Sequence, residues 1–124
     1  MAMDKPYPLV CEPIFKERVW GGRSLERFFG PGLPAGAVGE AWVLGEHPHG
    51  TNTVTNGTLA GTDLGQVCRH HGEALLGTRA TRTGSERFPL LAKLLDARDR
   101  LSVQVHPADG DPTLAPGELG KTEM

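Results

Sequence analysis

Seventeen glycines and ten prolines punctuate a chain of only 124 residues. Glycine readily adopts backbone angles that end regular structure, and proline fixes φ and removes a hydrogen-bond donor. Such dense punctuation leaves room for short strands and turns and little for long helices. A mostly β chain is therefore expected. Hydrophobic residues at 38% and charged residues at 23% are those of one ordinary globular domain. A formal charge of −2 gives no footprint for nucleic acid or an anionic membrane. No apolar run approaches the roughly 18 residues that span a bilayer, and "MAMDKPYPLVCEP" lacks a secretory apolar core. Cys11 and Cys68 are far apart and fit reduced thiols in the cytoplasm better than a disulfide.

Along the chain, residues 7–22 alternate short apolar pieces with prolines and end in the aromatic turn "VWGG". "SLERFFG" (24–30) suits one or two helical turns, with Ser24 as N-cap and Gly30 as stop. "EAWVLGE" (40–46) reads as a strand and "HPHGTNT" (47–53) as a turn. "TVTNGTLAG" (53–61) is a strand entering an Asn-Gly reversal. The best helix covers 63–76: Thr62 or Asp63 caps it, and Gly77 can stop it. Leu64, Val67, Cys68, His71 and Leu75 share one of its faces. "TRATRTGSER" (78–87) is a polar connection, and "FPLLAKLLDA" (88–97) a buried strand. "LSVQVHP" (101–107) alternates strictly and reads as another strand.

That last alternation puts Gln104 and His106 on one face, two residues apart. A strand beginning in "GKTE" (120–123) would do the same for Lys121 and Glu123. An imidazole, a carboxylate and an amide oxygen are competent ligands for Zn²⁺ or a similar divalent ion. "APGELGKT" (115–122) nearly spells a phosphate-binding loop, but Ala115 replaces the first glycine and no strand precedes it. A nucleotide binder, abolished by Lys121→Ala, is thus the weakest of three functional readings. Lys93 sits inside an apolar run, where it either snorkels or needs a carboxylate or phosphate partner. His47 and His49 lie in a turn with no carboxylate placed beside them; in the helix, His70 is expected to face solvent and His71 the core. Trp20 precedes two glycines, where backbone can approach a ligand, and Glu40 heads a strand.

Four segments in order, "EPIFKERVWGGRSL", "GEAWVLGEHPHGTNTVTNGTLAGTDL", "FPLLAKLLDARDRLSVQVHPAD" and "GELGKTEM", resemble the type I mannose-6-phosphate isomerases of the cupin superfamily. The resemblance implies an incomplete cupin-like (jelly-roll) β-barrel with one or two short helices. It also implies zinc-dependent interconversion of mannose 6-phosphate and fructose 6-phosphate, a small sugar phosphate being the expected partner, with neither nucleic acid nor membrane. It makes Gln104, His106 and Glu123 metal ligands, Lys121, Lys93 and Glu40 catalytic, and Trp20, Lys93 and Lys121 substrate-binding. The four histidines 47, 49, 70 and 71 match no ligand. Residues 1–124 are then the N-terminal part of the catalytic domain, cut short before a further ligand histidine. Open sheet edges, weak metal affinity and little activity are expected of such a piece. A non-catalytic cupin-type metal- or sugar-binding module is the alternative, separated from the enzyme by an isomerase assay.

Overall fold

The computed structural model describes residues 3, 5–82 and 87–121. Strands β1 (Ile14–Gly22), β2 (Val38–His47), β3 (Gly50–Thr51) and β4 (Leu91–Leu95) form one antiparallel sheet. Helix α1 (Glu26–Phe29) follows β1, and α2 (Leu64–Arg82) lies between β3 and β4. β2 is the central strand: β1 and β4 flank it, and β3 folds back on its end through the Pro48-His49 turn. The mostly β expectation holds.

Alternation along β2 splits the sheet into two unlike faces. Ala41 stands between Phe15 of β1 and Leu94 of β4 in register. On this side Leu25, Leu33, Val38 and Ala41 form a core cluster, with Phe29 edge-on to Phe15 at 5.2 Å. On the other side Glu40 faces Lys16, and Trp42 stands between Ile14 and Lys93. A second core cluster, Val54, Leu59 and Val67, joins α2 to the N-terminal arm through Tyr7, Leu9 and Leu75. The fully buried Asn52 links these layers, its Nδ2 donating to the carbonyls of Glu12 and Trp42.

The expected turn at "VWGG" is instead the end of β1. Gly21 lies so close to Gly39 that a Cβ would stand 2.5 Å from the Gly39 nitrogen. Backbone contact this tight requires glycine on the facing positions. α1 starts one residue later than expected: Leu25 is its N-cap, and the Ser24 N–H donates to Asp96 Oδ2 at 2.7 Å. Gly30 does end it, with φ 74°. The strand expected over 53–61 is reduced to two isolated bridges, Cys11 to Val54 and Thr53 to Asp63. Its Asn-Gly reversal survives, with Gly57 at φ 64°.

α2 begins as read, Asp63 Oδ1 accepting from Gln66 N–H at 2.9 Å. Leu64, Val67 and Cys68 are buried, as their spacing requires. Gly77, at φ 79° and ψ 165°, breaks the helix where a stop was expected, but a further helical piece follows into the supposed polar connection. Two strand expectations need larger corrections. β4 forms, yet Leu94 and Leu95 are exposed rather than buried. Residues 101–107 join no sheet, and Val103 and Val105 are 100% and 94% exposed. Both segments have strand character, but the described residues supply no layer to cover them.

Candidate active site

The charged face of the sheet is organised around one carboxylate. Glu40 is 6% exposed, and Trp42 Nε1–H donates to its Oε2 at 2.6 Å. Lys93 Nζ lies 3.7 Å from the same oxygen, while Arg18 Nε lies 3.4 Å from Oε1. Burial alone would raise the pKa of Glu40. The Trp42 hydrogen bond, then the charges of Lys93 and Arg18, outweigh it and hold the carboxyl below its ordinary range. Glu40 and Lys93, flagged separately in the sequence, are therefore brought together, and Lys93 has the carboxylate partner that its apolar surroundings demand.

Trp20 is half-buried. The turn after β4 latches onto it: the N–H groups of Arg98 and Asp99 both donate to the Trp20 carbonyl, at 2.8 and 3.2 Å. A Cβ at position 39 would meet Arg18 Cβ at 2.6 Å and Trp20 Cζ3 at 2.9 Å, so the bare Gly39 backbone makes room for both side chains. Lys16 extends the face, its ammonium 4.5 Å from the Trp42 ring centroid and donating to the His49 carbonyl. His47 stands edge-on to the same ring at 5.4 Å. Burial, followed by nearby cationic groups, pushes its pKa down, which favours the neutral imidazole.

A second group forms at the "HPAD…GK" loop. His106, Pro107, Ala108, Asp109, Gly120 and Lys121 line one shallow cleft. The loop is pinned at its base: Lys121 N–H donates to the Pro107 carbonyl at 3.3 Å and Gly120 N–H to Asp109 Oδ1 at 2.7 Å. A Cβ on Gly120 would sit 2.5 Å from Ala108 C and Asp109 N, so only glycine permits this closure. His106 and Lys121, fifteen positions apart in the chain, thus share a site. The would-be phosphate loop is a tight turn, Ala115 N–H donating to Glu118 Oε2, and no helix follows it among the described residues.

The fit of this region to a divalent cation rests on Gln104 and His106. Gln104 Nε2 donates to Ser102 Oγ at 2.7 Å, a bond that engages the amide nitrogen and not the carbonyl oxygen. His106 is half-buried in the cleft. Amide oxygen and imidazole are donors that, with a carboxylate, suit zinc and its neighbours. Glu123 lies outside the described residues. Among the described residues no group of three His, Cys, Asp or Glu stands close enough to hold a metal. Cys11 and Cys68 are free thiols, and burial pushes Cys68 up to about 11.

Sequence reasoning missed Arg18, Lys16 and Trp42 as members of the charged face. The signal was available. In "FKERVW" the residues Lys16, Arg18 and Trp20 alternate, and Trp42 is in phase with Glu40.

The described residues thus form a small antiparallel sheet with one apolar and one ionised face, followed by a histidine–lysine cleft. Residues 9–118 match the family described as "Phosphomannose isomerase type I, catalytic domain", and the chain belongs to that family. The "Probable mannose-6-phosphate isomerase GmuF" of Bacillus subtilis (strain 168) is 48% identical over 118 residues, covering 94% of this chain and 36% of that relative. "Mannose-6-phosphate isomerase ManA" of the same organism is 44% identical over 117 residues, covering 94% and 35%. The crystal structure of the mannose 6-phosphate isomerase from Bacillus subtilis superimposes with a TM-score of 0.78 at 40% identity, over 91% of this chain and 35% of that one. The chain spans about a third of the length of the curated relatives it matches.

Proposed function

We propose that this chain carries part of the active site of a mannose-6-phosphate isomerase, which interconverts mannose 6-phosphate and fructose 6-phosphate. The reaction takes a proton from C2 of the aldose and returns one to C1, while the proton of the C2 hydroxyl passes to the C1 oxygen, so that the carbonyl moves from C1 to C2. Negative charge develops on the two oxygens in between. Lys121, from its place beside His106, offsets that charge as a fixed ammonium. Lys93, held against Glu40, presents a second cation to the sugar phosphate, and Trp20 walls the pocket with a flat apolar surface. Gln104, His106 and Glu123 would hold the divalent cation, read here as Zn²⁺. When bound, such a cation polarises the carbonyl and stabilises the charge next to it.

The observation that carries this reading is the Gly120 closure, which sets an imidazole and an ammonium in one cleft of a chain whose relatives are isomerases. Two measurements test it. Calorimetric titration with Zn²⁺ should show binding that weakens at least about tenfold in His106→Ala, the loss expected for one ligand or its support. A coupled assay consuming fructose 6-phosphate should show turnover that falls in Lys121→Ala. Saturable Zn²⁺ binding without turnover would instead favour a non-catalytic metal-binding module. Absence of both would remove the metal reading.

A further inference from the structure

We propose that Trp42 is a positioning residue for this chemistry: its indole N–H holds the Glu40 carboxylate in the orientation from which it faces Lys93. The inference rests on the isomerase reading for its functional meaning, but its geometry stands on its own. The two carboxylate oxygens are not equivalent. Oε2 takes the indole N–H at 2.6 Å and faces Lys93 at 3.7 Å, while Arg18 spans both, its Nε 3.4 Å from Oε1 and its Nη2 3.5 Å from Oε2. Turning the carboxylate about its last bond would forfeit the indole bond.

The indole is in turn immobilised from several sides. Trp42 is 5% exposed, His47 lies edge-on to its ring, and the Lys16 ammonium sits over it. Its own carbonyl accepts from the buried Asn52 amide at 2.9 Å. In register it is the cross-strand partner of Lys93. A tryptophan that served only as filler would need no acceptor of this kind, since a backbone carbonyl or water satisfies an indole equally well. Here the donor is spent on Glu40, the one buried carboxylate among the described residues. A charge-assisted bond of this type is short and directional.

Trp42→Phe keeps an aromatic ring in the core and removes the N–H. In this variant the Glu40 carboxyl, followed by carbon-detected NMR, should titrate at a higher pH than in the unaltered chain. The donor that favoured the ionised form is then gone. Isomerisation should lose about tenfold, the scale of one hydrogen bond to a charge. The loss should fall on kcat rather than KM and deepen as the pH is lowered towards the carboxyl's titration. A midpoint that stays in place overturns the proposal, as does a loss that is flat with pH. Should Trp42→Phe fail to fold, the indole proton resonance of the unaltered chain decides. It should follow the Glu40 titration and cease to do so in Glu40→Gln; a resonance indifferent to pH overturns the proposal. If the unaltered chain shows no isomerisation, the functional reading falls while the two NMR experiments still decide the role of Trp42.

Discussion

At the scale of single residues, Glu40 ties the stability of the sheet to acidity. Its folded-state pKa is lowered from the ordinary 4.5 by Trp42, Lys93 and Arg18 acting against its burial. A carboxyl whose pKa is lowered on folding contributes stability above its unfolded value, and that contribution is lost as pH falls through the folded value. Stability to denaturant should therefore decline as pH drops below about 4.5. Glu40→Gln should flatten that slope while costing roughly 1–3 kcal/mol at neutral pH, the scale of a hydrogen bond to a buried charge. An unchanged slope would mean that other carboxyls govern acid unfolding. Asn52 illustrates a different demand. Its amide hydrogens tie Glu12 to Trp42 in the core, but its buried oxygen has no protein partner among the described residues. One orphan acceptor is tolerated for two backbone bonds made at the junction of three segments.

At the scale of elements, α2 shows what a local pattern can and cannot convey. Asp63, the Leu64–Val67–Cys68 stripe and Gly77 are local signals, and each performs as its chemistry dictates. The φ 79°, ψ 165° conformation at Gly77 is essentially closed to other residues, although the space around its Cα is open. Gly77→Ala should therefore cost about 1–3 kcal/mol through the backbone alone. Denaturant unfolding monitored by helical circular dichroism would register it, and a neutral result would show that the kink is not required. Strands are less legible because a strand is completed by its neighbours. The β propensity of "PLLAKLLDA" and the alternation of "LSVQVHP" are both plain in the sequence. Neither pattern states whether a second layer lies above, so neither distinguishes a covered strand from an exposed one. The candidate site divides in the same way. Glu40, Lys93, Trp20, Gln104, His106 and Lys121 could each be singled out by type and spacing. That Glu40 sits between Lys93 and Arg18 depends on the β1–β2–β4 register, which no local pattern encodes.

At the scale of the whole molecule, the apolar surface left open has consequences in solution. Leu90, Leu95, Val103 and Val105 are all about half or more exposed. Contiguous exposed apolar side chains and unpaired strand edges promote association. The chain should self-associate in a concentration-dependent way in sedimentation experiments. Replacing Val103 and Val105 together by lysine should raise the association midpoint roughly tenfold or more, since burying two valines is worth about 3 kcal/mol. The unfolding midpoint should not fall, because neither valine packs in a core. An unaltered midpoint of association would place the sticky surface elsewhere. The pinned base of the 107–120 loop points the other way, towards tolerance. Because Gly120 is seated against Ala108 and Asp109, the spacing of His106 and Lys121 is set at the neck and not by the arc between them. A foreign peptide grafted into the exposed bend near Pro116 and Gly117 would lengthen the arc at little entropic cost. The cleft would be left undisturbed, which makes this bend a natural handle for a reporter or an affinity tag.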